Sequence, residues 1–245
     1  MTGNEMLDTL ALRLEDPTST AFTAAAKLDA LNIAQREVVN IIHNGYLTDL
    51  QVIDSQSVHA TNAFQNNQLA VSTANVTFAS AGIAPIRNGI IAIKVYNLGS
   101  SDSGSYAASS MGFANMIEPR DIKRLENSYL AGTDTNPVAY VFQETIFVEI
   151  GTAVTSLGSG GTSHGIDIWY LKQPTAIAAN ATECELNIAL HTLVVDLAEH
   201  QLWKMDNKAD RGALAYNNAI SQITALNERY ATESPNGIGT TSRYA

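Results

Sequence analysis

Hydrophobic residues between positions 182 and 231 recur at steps of three and four, which predicts two antiparallel helices joined by a short turn. The first helix is expected to begin at Thr182, because Thr182 and Glu185 have the spacing of a capping box. Asp206 or Asn207 is expected to cap the second helix. The stripe of the first helix consists of Leu186, Leu190, Leu193, Val194 and Leu197, and that of the second of Ala213, Tyr216, Ile220, Ile223 and Tyr230.

The first 47 residues carry the same periodicity and predict two further helices. The first spans residues 3–15 and ends at Asp16-Pro17, because proline disfavours the helical conformation in the residue before it. The second begins between Thr20 and Thr23 and ends at Asn44-Gly45. Its inward stripe consists of Phe22, Leu28, Leu31, Val38, Ile41 and Ile42.

The middle of the chain has a different pattern. Four segments combine β-branched and aromatic residues with partial two-residue alternation, which is typical of strands: 68–80, 89–98, 137–150 and 165–174. Gln143-Glu144 is a candidate hairpin turn within the third. A helix is expected over residues 118–132, with Ile122, Leu125 and Tyr129 on one face, and the Ser/Gly-rich stretches 99–105 and 158–163 are expected to be loops.

These elements predict an α+β protein in which both ends of the chain contribute to one antiparallel helical bundle, formed by residues 1–47 and 176–231. Residues 48–175 would form a β-rich, sandwich-like insertion. Residues 232–245 contain too little apolar material to fold alone. They are expected to be a terminal tail without a partner, or an extended arm that a partner orders through Ile238, Arg243 and Tyr244.

The negative net charge of the chain argues against functions that require tight binding to nucleic acid. Its formal net charge is -10, and acidic residues exceed basic ones in the helical and β-rich parts alike. Sequence-independent nucleic-acid binding depends on a basic surface that neutralises phosphates, and no segment of this chain is basic overall, so DNA is expected to pass by this protein without specific binding. The apolar stretches are too short to span a membrane, no secretory leader is expected at Met1, and synthesis is expected in a cytoplasm.

The candidate motifs for catalysis, cofactors and metals lack the sequence context that such sites require. Residues Gly161–Gly165 match the G-x-S-x-G string of hydrolases, but a strand rather than a helix is predicted after Ser163. The single cysteine, Cys184, excludes an internal disulfide and a cysteine-based zinc cluster. The histidines are scattered. The sequence therefore predicts no catalytic residue, no cofactor and no metal site.

Three pieces of the chain, in this order, resemble the head-to-tail adaptor proteins of short-tailed bacteriophages. The first is LRLEDPTSTAFTAAAKLDALNIAQREVVN, in which the string from Leu31 to Glu37 is the most distinctive part. The second comprises NPVAYVFQETIFVEI and IDIWYLKQPT, which are similar to adjacent strands of the family. The third is the C-terminal helical hairpin. The long insertion departs most from a minimal adaptor.

The resemblance implies a structural virion protein at the head-tail junction. In the family, a dodecameric ring binds beneath the portal protein after DNA packaging, extends the DNA channel and receives the tail nozzle or tail fibres. It also implies that the C-terminal arm reaches the portal and that helices pack against neighbouring subunits. Arg36 and Glu37 are candidates for such subunit contacts, although a role within the helix or in solvent is equally compatible with their positions.

The only local basic cluster consists of Arg120, Lys123 and Arg124, interleaved with acidic residues. It is either a solvated helix face with internal ion pairs or a contact for an acidic partner in the ring or tail. A different function also remains open, in which the β-rich part is a module that binds a carbohydrate or a host surface. That function predicts exposed aromatic residues, with Tyr96, Tyr106 and Phe113 as candidates. A hydrolase centred on Ser163 is the third alternative.

Overall fold

A computed structural model of the chain describes residues 1–58, 73–98, 109–126, 130–133, 136–149 and 163–233. The fold is mixed α+β, as the sequence predicts. Among the described residues, 1–50 and 173–233 form one compact unit, and those between 51 and 172 form another. The predicted loop at 99–105, residues 158–162 of the predicted loop 158–163, and residues 234–245 of the predicted arm lie outside the described residues. The remaining bounds are corrected by the structure, because Ser163 begins a strand and residues 232 and 233 end a helix.

The helices of the described chain are α1 (Gly3–Arg13), α2 (Ala24–Ile41), α3 (Phe78–Ala81), α4 (Ile188–Met205) and α5 (Ala209–Glu233), with 3-10 helices at Asn44–Leu50 and Pro119–Glu126. All except α3 and the second 3-10 helix belong to the first unit, here called the helical unit. The predicted hairpin near the C-terminus is confirmed. Its turn lies at residues 206–208, where Asn207 has a positive φ of 57°.

Helix starts follow side-chain caps, but not always at the predicted residue. Thr2 and Glu5 form a reciprocal capping box at α1, and the Thr23 hydroxyl caps α2. The predicted box at Thr182 and Glu185 is wrong, because α4 begins only after its cap, Asn187. The Glu185 carboxylate instead accepts hydrogen bonds from the backbone N–H and hydroxyl of Thr175. Glu185 therefore binds the loop residue Thr175 instead of capping a helix.

Helix α4 is buried on nearly every side by α1, α2 and α5. Its predicted stripe is confirmed, since Leu190, Leu193, Val194 and Leu197 are fully buried. The predicted stripe of α5 is only partly correct, because Ile223 is buried as predicted but Ala213 and Tyr216 are exposed. The small residues Gly212, Ala215 and Ala219 are buried toward α4 in their place.

The small stripe allows the two helices to approach closely. A Cβ atom at Gly212 would lie 3.1 Å from both the ring Nδ1 and the carbonyl oxygen of His200. His200 Nδ1 also donates a hydrogen bond to the Gly212 carbonyl over 2.9 Å. Small side-chain volume, and not hydrophobicity alone, therefore determines which side of α5 packs against α4.

The turn between α1 and α2 is organised by a buried ion pair. Asp16 and Lys27 are both almost fully buried, and Lys27 Nζ lies 3.1 Å from an Asp16 carboxylate oxygen. The carboxylate also accepts hydrogen bonds from the backbone N–H groups of Phe22, Ala21 and Thr20. The Lys27 ammonium donates to the Asp16 carbonyl and the Ser19 hydroxyl. Both charges are thus satisfied internally, as burial requires.

These hydrogen bonds, led by that from Phe22, hold the pKa of Asp16 well below its usual range despite the opposing effect of burial. Because the folded-state pKa lies below the unfolded value, the carboxylate stabilises the fold above pH about 4. That stabilisation is lost as the pH falls from there toward the lowered pKa. Acid is therefore expected to loosen this turn.

The second unit, here called the sheet unit, contains two four-stranded sheets. The strands are β1 (Gln51–Val58), β2 (Thr73–Thr77), β3 (Pro85–Leu98), β4 (Ser109–Phe113), β5 (Asn115–Met116), β6 (Val138–Phe142), β7 (Thr145–Glu149) and β8 (Ser163–Lys172). One sheet has the order β1-β8-β3-β4 and is antiparallel throughout. The other has the order β2-β7-β6-β5, with only β5 and β6 parallel.

Both sheets contribute to one hydrophobic core. Ile93, Ile168 and Val95 come from the first sheet, while Ile146 and Ala139 come from the second. Each of these side chains is fully buried. Because side chains alternate along a strand, the residues between those of the first sheet lie on its opposite face.

All four predicted strand segments contain strands, and the predicted hairpin turn at Gln143-Glu144 is confirmed, with positive φ at both residues. Strand β1 was not predicted, since its sequence, QVIDSQSV, is largely polar. The helix predicted over 118–132 is wrong in type and length. The structure has a 3-10 helix over Pro119–Glu126, and although Leu125 is buried as expected, Tyr129 lies outside the described residues.

The Asp16–Lys27 pair can be tested by replacing Lys27 with Met, which keeps the volume but removes the charge. Removing one partner of a buried ion pair leaves the other charge uncompensated, so the free energy of unfolding should fall by about 3 kcal/mol. Urea denaturation followed by circular dichroism measures this. Lys208→Met, which removes the exposed pair with Asp206, is the matched control and should cost under about 1 kcal/mol. Equal effects of the two substitutions would contradict this account.

Candidate functional site

The helical unit contains a polar cleft of about 460 Å³ between α2 and the segment that follows β8. Asn32, Gln35, Arg36 and Asn40 come from α2, at helical spacing. The opposite wall is formed by Gln173, Pro174 and Ala176. The lining is dominated by side-chain amides, which both donate and accept hydrogen bonds, with one positive charge among them.

Two amides of α2 hold the opposite wall in place. Asn32 Oδ1 accepts from the backbone N–H of Ile177 over 2.7 Å, and Asn32 Nδ2 donates to the carbonyl of the same residue over 3.1 Å. Gln35 Nε2 donates to the Thr175 carbonyl over 3.3 Å. The irregular segment therefore obtains hydrogen-bond partners from α2 for the N–H and C=O of Ile177 and for the C=O of Thr175. Because these contacts hold the segment in place, the cleft is a defined feature of the fold and not a packing defect.

Arg36 and Glu37, the two predicted subunit-contact residues in α2, have different environments. Arg36 is exposed on the cleft side, and its guanidinium has no hydrogen bond or ion pair among the described residues. Glu37 is half-buried, and its Oε2 accepts a hydrogen bond from Gln201 Nε2 over 3.3 Å. The structure therefore leaves Arg36 available to a partner and gives Glu37 a role inside the helical unit.

The predicted basic cluster lies on the 3-10 helix Pro119–Glu126 of the sheet unit. Arg120 forms an ion pair with Glu118, Nε to Oε2 2.5 Å, and is 72% exposed, so it belongs to a solvated internal pair. Lys123 is exposed and has no partner among the described residues. The side chain of Arg124 is outside the described part of the structure.

Several other sequence-based candidates cannot be placed. Ile238, Arg243 and Tyr244, the predicted portal-contact residues, lie outside the described residues, as do Tyr106 and the side chain of Tyr96. Phe113 is described and is 61% exposed, on the outer face of its sheet. Ser163 is the first residue of β8, so a strand follows it and not the helix that a hydrolase serine requires.

The sheet unit also buries a carboxylic acid that sequence reasoning missed. Glu149 is at the end of β7 and is fully buried, and among the described residues neither of its carboxylate oxygens has a hydrogen-bond partner. It lies against Gly132, where a Cβ atom would be only 2.3 Å from the Glu149 carbonyl oxygen. Glycine is therefore required at 132 for this close approach. No pattern in the sequence distinguishes Glu149 from the solvated acids.

Burial without partners raises the pKa of Glu149, because the charged form loses its hydration; the nearby backbone N–H of Gly132 opposes the shift without forming a hydrogen bond. Desolvation, followed by the Glu149 charge, also raises the pKa of Tyr140 to about 12. Tyr140 stacks on Phe147, with ring centroids 4.8 Å apart. Together these residues form a small second core beside the shared one.

Comparison with known proteins gives no family. No family model matches the chain, and no curated protein matches it. Among the described residues, no group of His, Cys, Asp and Glu has the arrangement of a metal site, and no described helix is long and apolar enough to cross a membrane.

The buried acid gives a pH-dependent prediction. Because the folded-state pKa of Glu149 is raised, its contribution to stability is greatest below its ordinary pKa of 4.5 and is lost as the pH rises through the raised value. Glu149→Met should therefore raise the melting temperature at pH 8 by a few degrees, with each kcal/mol worth about 2–4 °C in a chain of this size. At pH 4 the two proteins should differ much less.

Thermal melts between pH 4 and pH 9 measure this effect. Glu228→Met, at an exposed position of α5, removes the same charge and should leave the pH dependence of the melting temperature unchanged. A Glu149→Met protein that keeps the pH slope of the wild type would show that the slope has another source.

Proposed function

We propose that this protein is a non-enzymatic structural component of a virus particle, an adaptor at the neck between head and tail. Twelve copies would form a ring beneath the portal, extend its DNA channel, and provide the docking site for the tail nozzle or fibres. The sequence resemblance suggests this function, and the observation that carries it structurally is the cleft with the unpaired Arg36. No cofactor is needed for this role.

Arg36 has the properties of a residue that a subunit interface uses. It is exposed on a chain with a net charge of -10, so acidic partners are abundant on every neighbouring copy. Ile33 precedes it by three residues on the same helix face and is 52% exposed. An aliphatic side chain beside an arginine in a preformed cleft is a combination that interfaces favour. The proposed occupant of the cleft is an acidic side chain of the next subunit.

A ring of identical subunits requires such a contact to be asymmetric. One face of each subunit must bind a different face of its neighbour, and the rotation between them must close. A cleft with an exposed arginine on one side of the subunit and an acidic group on the opposite side would satisfy the first condition. The acidic charge of the chain also suits a channel wall, because DNA would be repelled rather than retained as it passes during genome ejection.

The arrangement of the chain is consistent with divided roles. In this proposal the helices from both ends form an antiparallel bundle that contacts the portal and neighbouring subunits. The sheets form a sandwich-like insertion that faces the tail, and a C-terminal arm from residue 234 onward contacts the portal through Ile238, Arg243 and Tyr244. Assembly on the portal would place the finished protein in the virion, after synthesis in the host cytoplasm.

A second candidate function is a binding module for a carbohydrate or a host surface. The specific observation in its favour is the exposure of Phe113 beside Trp169 on the outer face of a sheet. The two functions are compatible, because the cleft and the aromatic residues belong to different units.

The adaptor function predicts assembly on a template. Native mass spectrometry of the full chain should show a monomer alone and a twelve-copy complex once purified portal rings from the same virus are added. Arg36→Glu should weaken ring formation about tenfold or more, because an attractive contact becomes a repulsive one. Its melting temperature should not change, since Arg36 has no partner among the described residues of the subunit.

Lys204→Glu is the matched control, because it makes the same charge change at an exposed position of α4. It should leave ring formation within about twofold of the wild type, as expected for a charge outside the interface. A wild-type chain that ignores portal rings would refute the adaptor function. Equal weakening by both substitutions would instead refute the role of Arg36 while leaving the adaptor function standing.

The basic cluster gives a separate prediction about the tail. Reversing Lys123 and Arg124 to Glu should leave the portal-bound ring intact but weaken its binding to the purified tail nozzle protein, measured by surface plasmon resonance. About a tenfold loss is expected for two reversed interface charges. The Lys204→Glu/Lys208→Glu protein is the control, with an equal charge change in the helical unit. Unchanged nozzle binding would assign Lys123 to a solvated surface.

A further inference from the structure

The outer face of the β1-β8-β3-β4 sheet carries apolar and polar side chains in adjoining rows. In one row, Ile53 of β1 lies opposite Trp169 of β8. In the next row, Ser55 of β1 lies opposite Asp167, which lies opposite Lys94, which in turn lies opposite Phe113 of β4. These residues alternate with the buried core residues, so all six point away from the core.

The apolar members of this face are unusually accessible. Ile53 is 58% exposed and Phe113 is 61% exposed, and Trp169 is partly exposed. The rings of Trp169 and Phe113 contact each other, with centroids 5.4 Å apart and planes tilted by 51°. Lys94 Nζ lies 6.0 Å from the centre of the Phe113 ring. The contact between the rings restricts both side chains and presents them as one platform.

The polar members provide hydrogen-bonding groups at the edge of that platform. The Ser55 hydroxyl donates to Asp167 Oδ1 over 2.6 Å, which orients the carboxylate. A carboxylate accepts several hydrogen bonds and an ammonium donates three, so the row contains acceptors, donors and a hydroxyl that does both.

We propose that this face, here called the Trp169 platform, binds a saccharide. Sugar rings combine an apolar face of C–H groups, which stacks on aromatic rings, with hydroxyl groups that donate and accept hydrogen bonds at the rim. The Trp169 platform has both components within one surface: the two rings for the C–H face, and Ser55, Asp167 and Lys94 for the hydroxyls. Tryptophan is suited to such contacts because it is large and polarised.

A protein partner fits this surface less well. The cores of protein interfaces are depleted of charged residues, whereas Asp167 and Lys94 lie directly beside the aromatic rings. A specific interface also buries about 800 Å² on each partner, and the three exposed apolar side chains that the structure describes on this face supply only a fraction of that. The observations therefore favour a ligand of the size of a few sugar units.

The Trp169 platform belongs to the sheet unit alone, so its function does not depend on whether the chain forms a portal-bound ring. The saccharide proposal rests on the second candidate function and gives it a ligand class, and its failure would leave the adaptor function untouched. Ring formation is measured with portal rings and depends on Arg36, whereas saccharide binding is measured without them and depends on Trp169.

Intrinsic fluorescence provides a direct test, because the chain has two tryptophans and Trp203 is buried in the helical unit. In a Trp203→Phe background, Trp169 is the only source of tryptophan emission. Chitohexaose, cellohexaose and maltohexaose are titrated separately to millimolar concentration. Stacking on an aromatic face tolerates differences in hydroxyl configuration, so at least one should shift the emission of Trp169 in a saturable way.

Isothermal titration with the responding hexasaccharide then measures the effect of each ring. Trp169→Ala and Phe113→Ala should each weaken binding by about tenfold, in line with the contribution of an aromatic contact. The matched control is Phe142→Ala, which removes another exposed phenylalanine of the sheet unit, from the other sheet. It should bind as the wild type does. Melting temperatures establish that all three variants are folded.

Three results would overturn the proposal. One is the absence of a saturable emission change with all three hexasaccharides. Another is equal weakening by Phe142→Ala, which would place binding elsewhere. The last is concentration-dependent self-association of the wild type in sedimentation velocity, with no saccharide response, that disappears in Trp169→Ala/Phe113→Ala. That result would make the face a contact between protein copies.

Discussion

Burial of α4 is the constraint on which the helical unit depends. Ten of its eighteen residues are buried, and they point in every direction around the helix axis. A helix with this composition cannot rest on a surface and must be enclosed by other helices. Its neighbours α1 and α2 come from the opposite end of the sequence, so the two ends of the chain must meet for the core to exist.

Polar contacts determine how the enclosing elements fit around α4. Arg13 of α1 forms an ion pair with Asp196, a buried residue of α4. The Asp16–Lys27 pair fixes the turn into α2, and Asn32 attaches the segment at Ile177 to that helix. Each of these polar contacts can form in only one relative arrangement of the elements, whereas aliphatic packing alone is compatible with several arrangements. The cleft around Arg36 is a product of these contacts.

The sequence correctly predicts those elements for which the local sequence preference agrees with the tertiary packing. The α4–α5 hairpin and the turn at Gln143-Glu144 are of this kind. It failed where a tertiary contact decided the outcome. The inward side of α5 follows the space left by His200, and Glu185 binds Thr175 instead of capping a helix. Strand β1 is polar because its outer face is exposed, and a polar edge strand resembles a loop in sequence.

The same distinction applies to the candidate sites. Arg36 was found from its position in a distinctive string, but the wall of its cleft lies about 140 residues away in sequence and has no local signal. Trp169 was recognised only as a strand residue, since alternation does not say which face of a strand is buried. Glu149 could not be separated from other acids, because isolation from hydrogen-bond partners is a property of the folded chain.

The separation of the helical unit into two distant stretches of sequence determines the order in which a ribosome can produce this fold. Helices α1 and α2 emerge first, with Met6, Leu10 and Leu31 uncovered, yet α4 is synthesised well over a hundred residues later. The sheet unit is complete once Lys172 has left the exit tunnel and can fold while translation continues. The earliest helices are thus the last to be buried. Because exposed apolar surface promotes aggregation and long-range contacts form slowly, the burial of α1 and α2 is expected to be a slow and late step of folding.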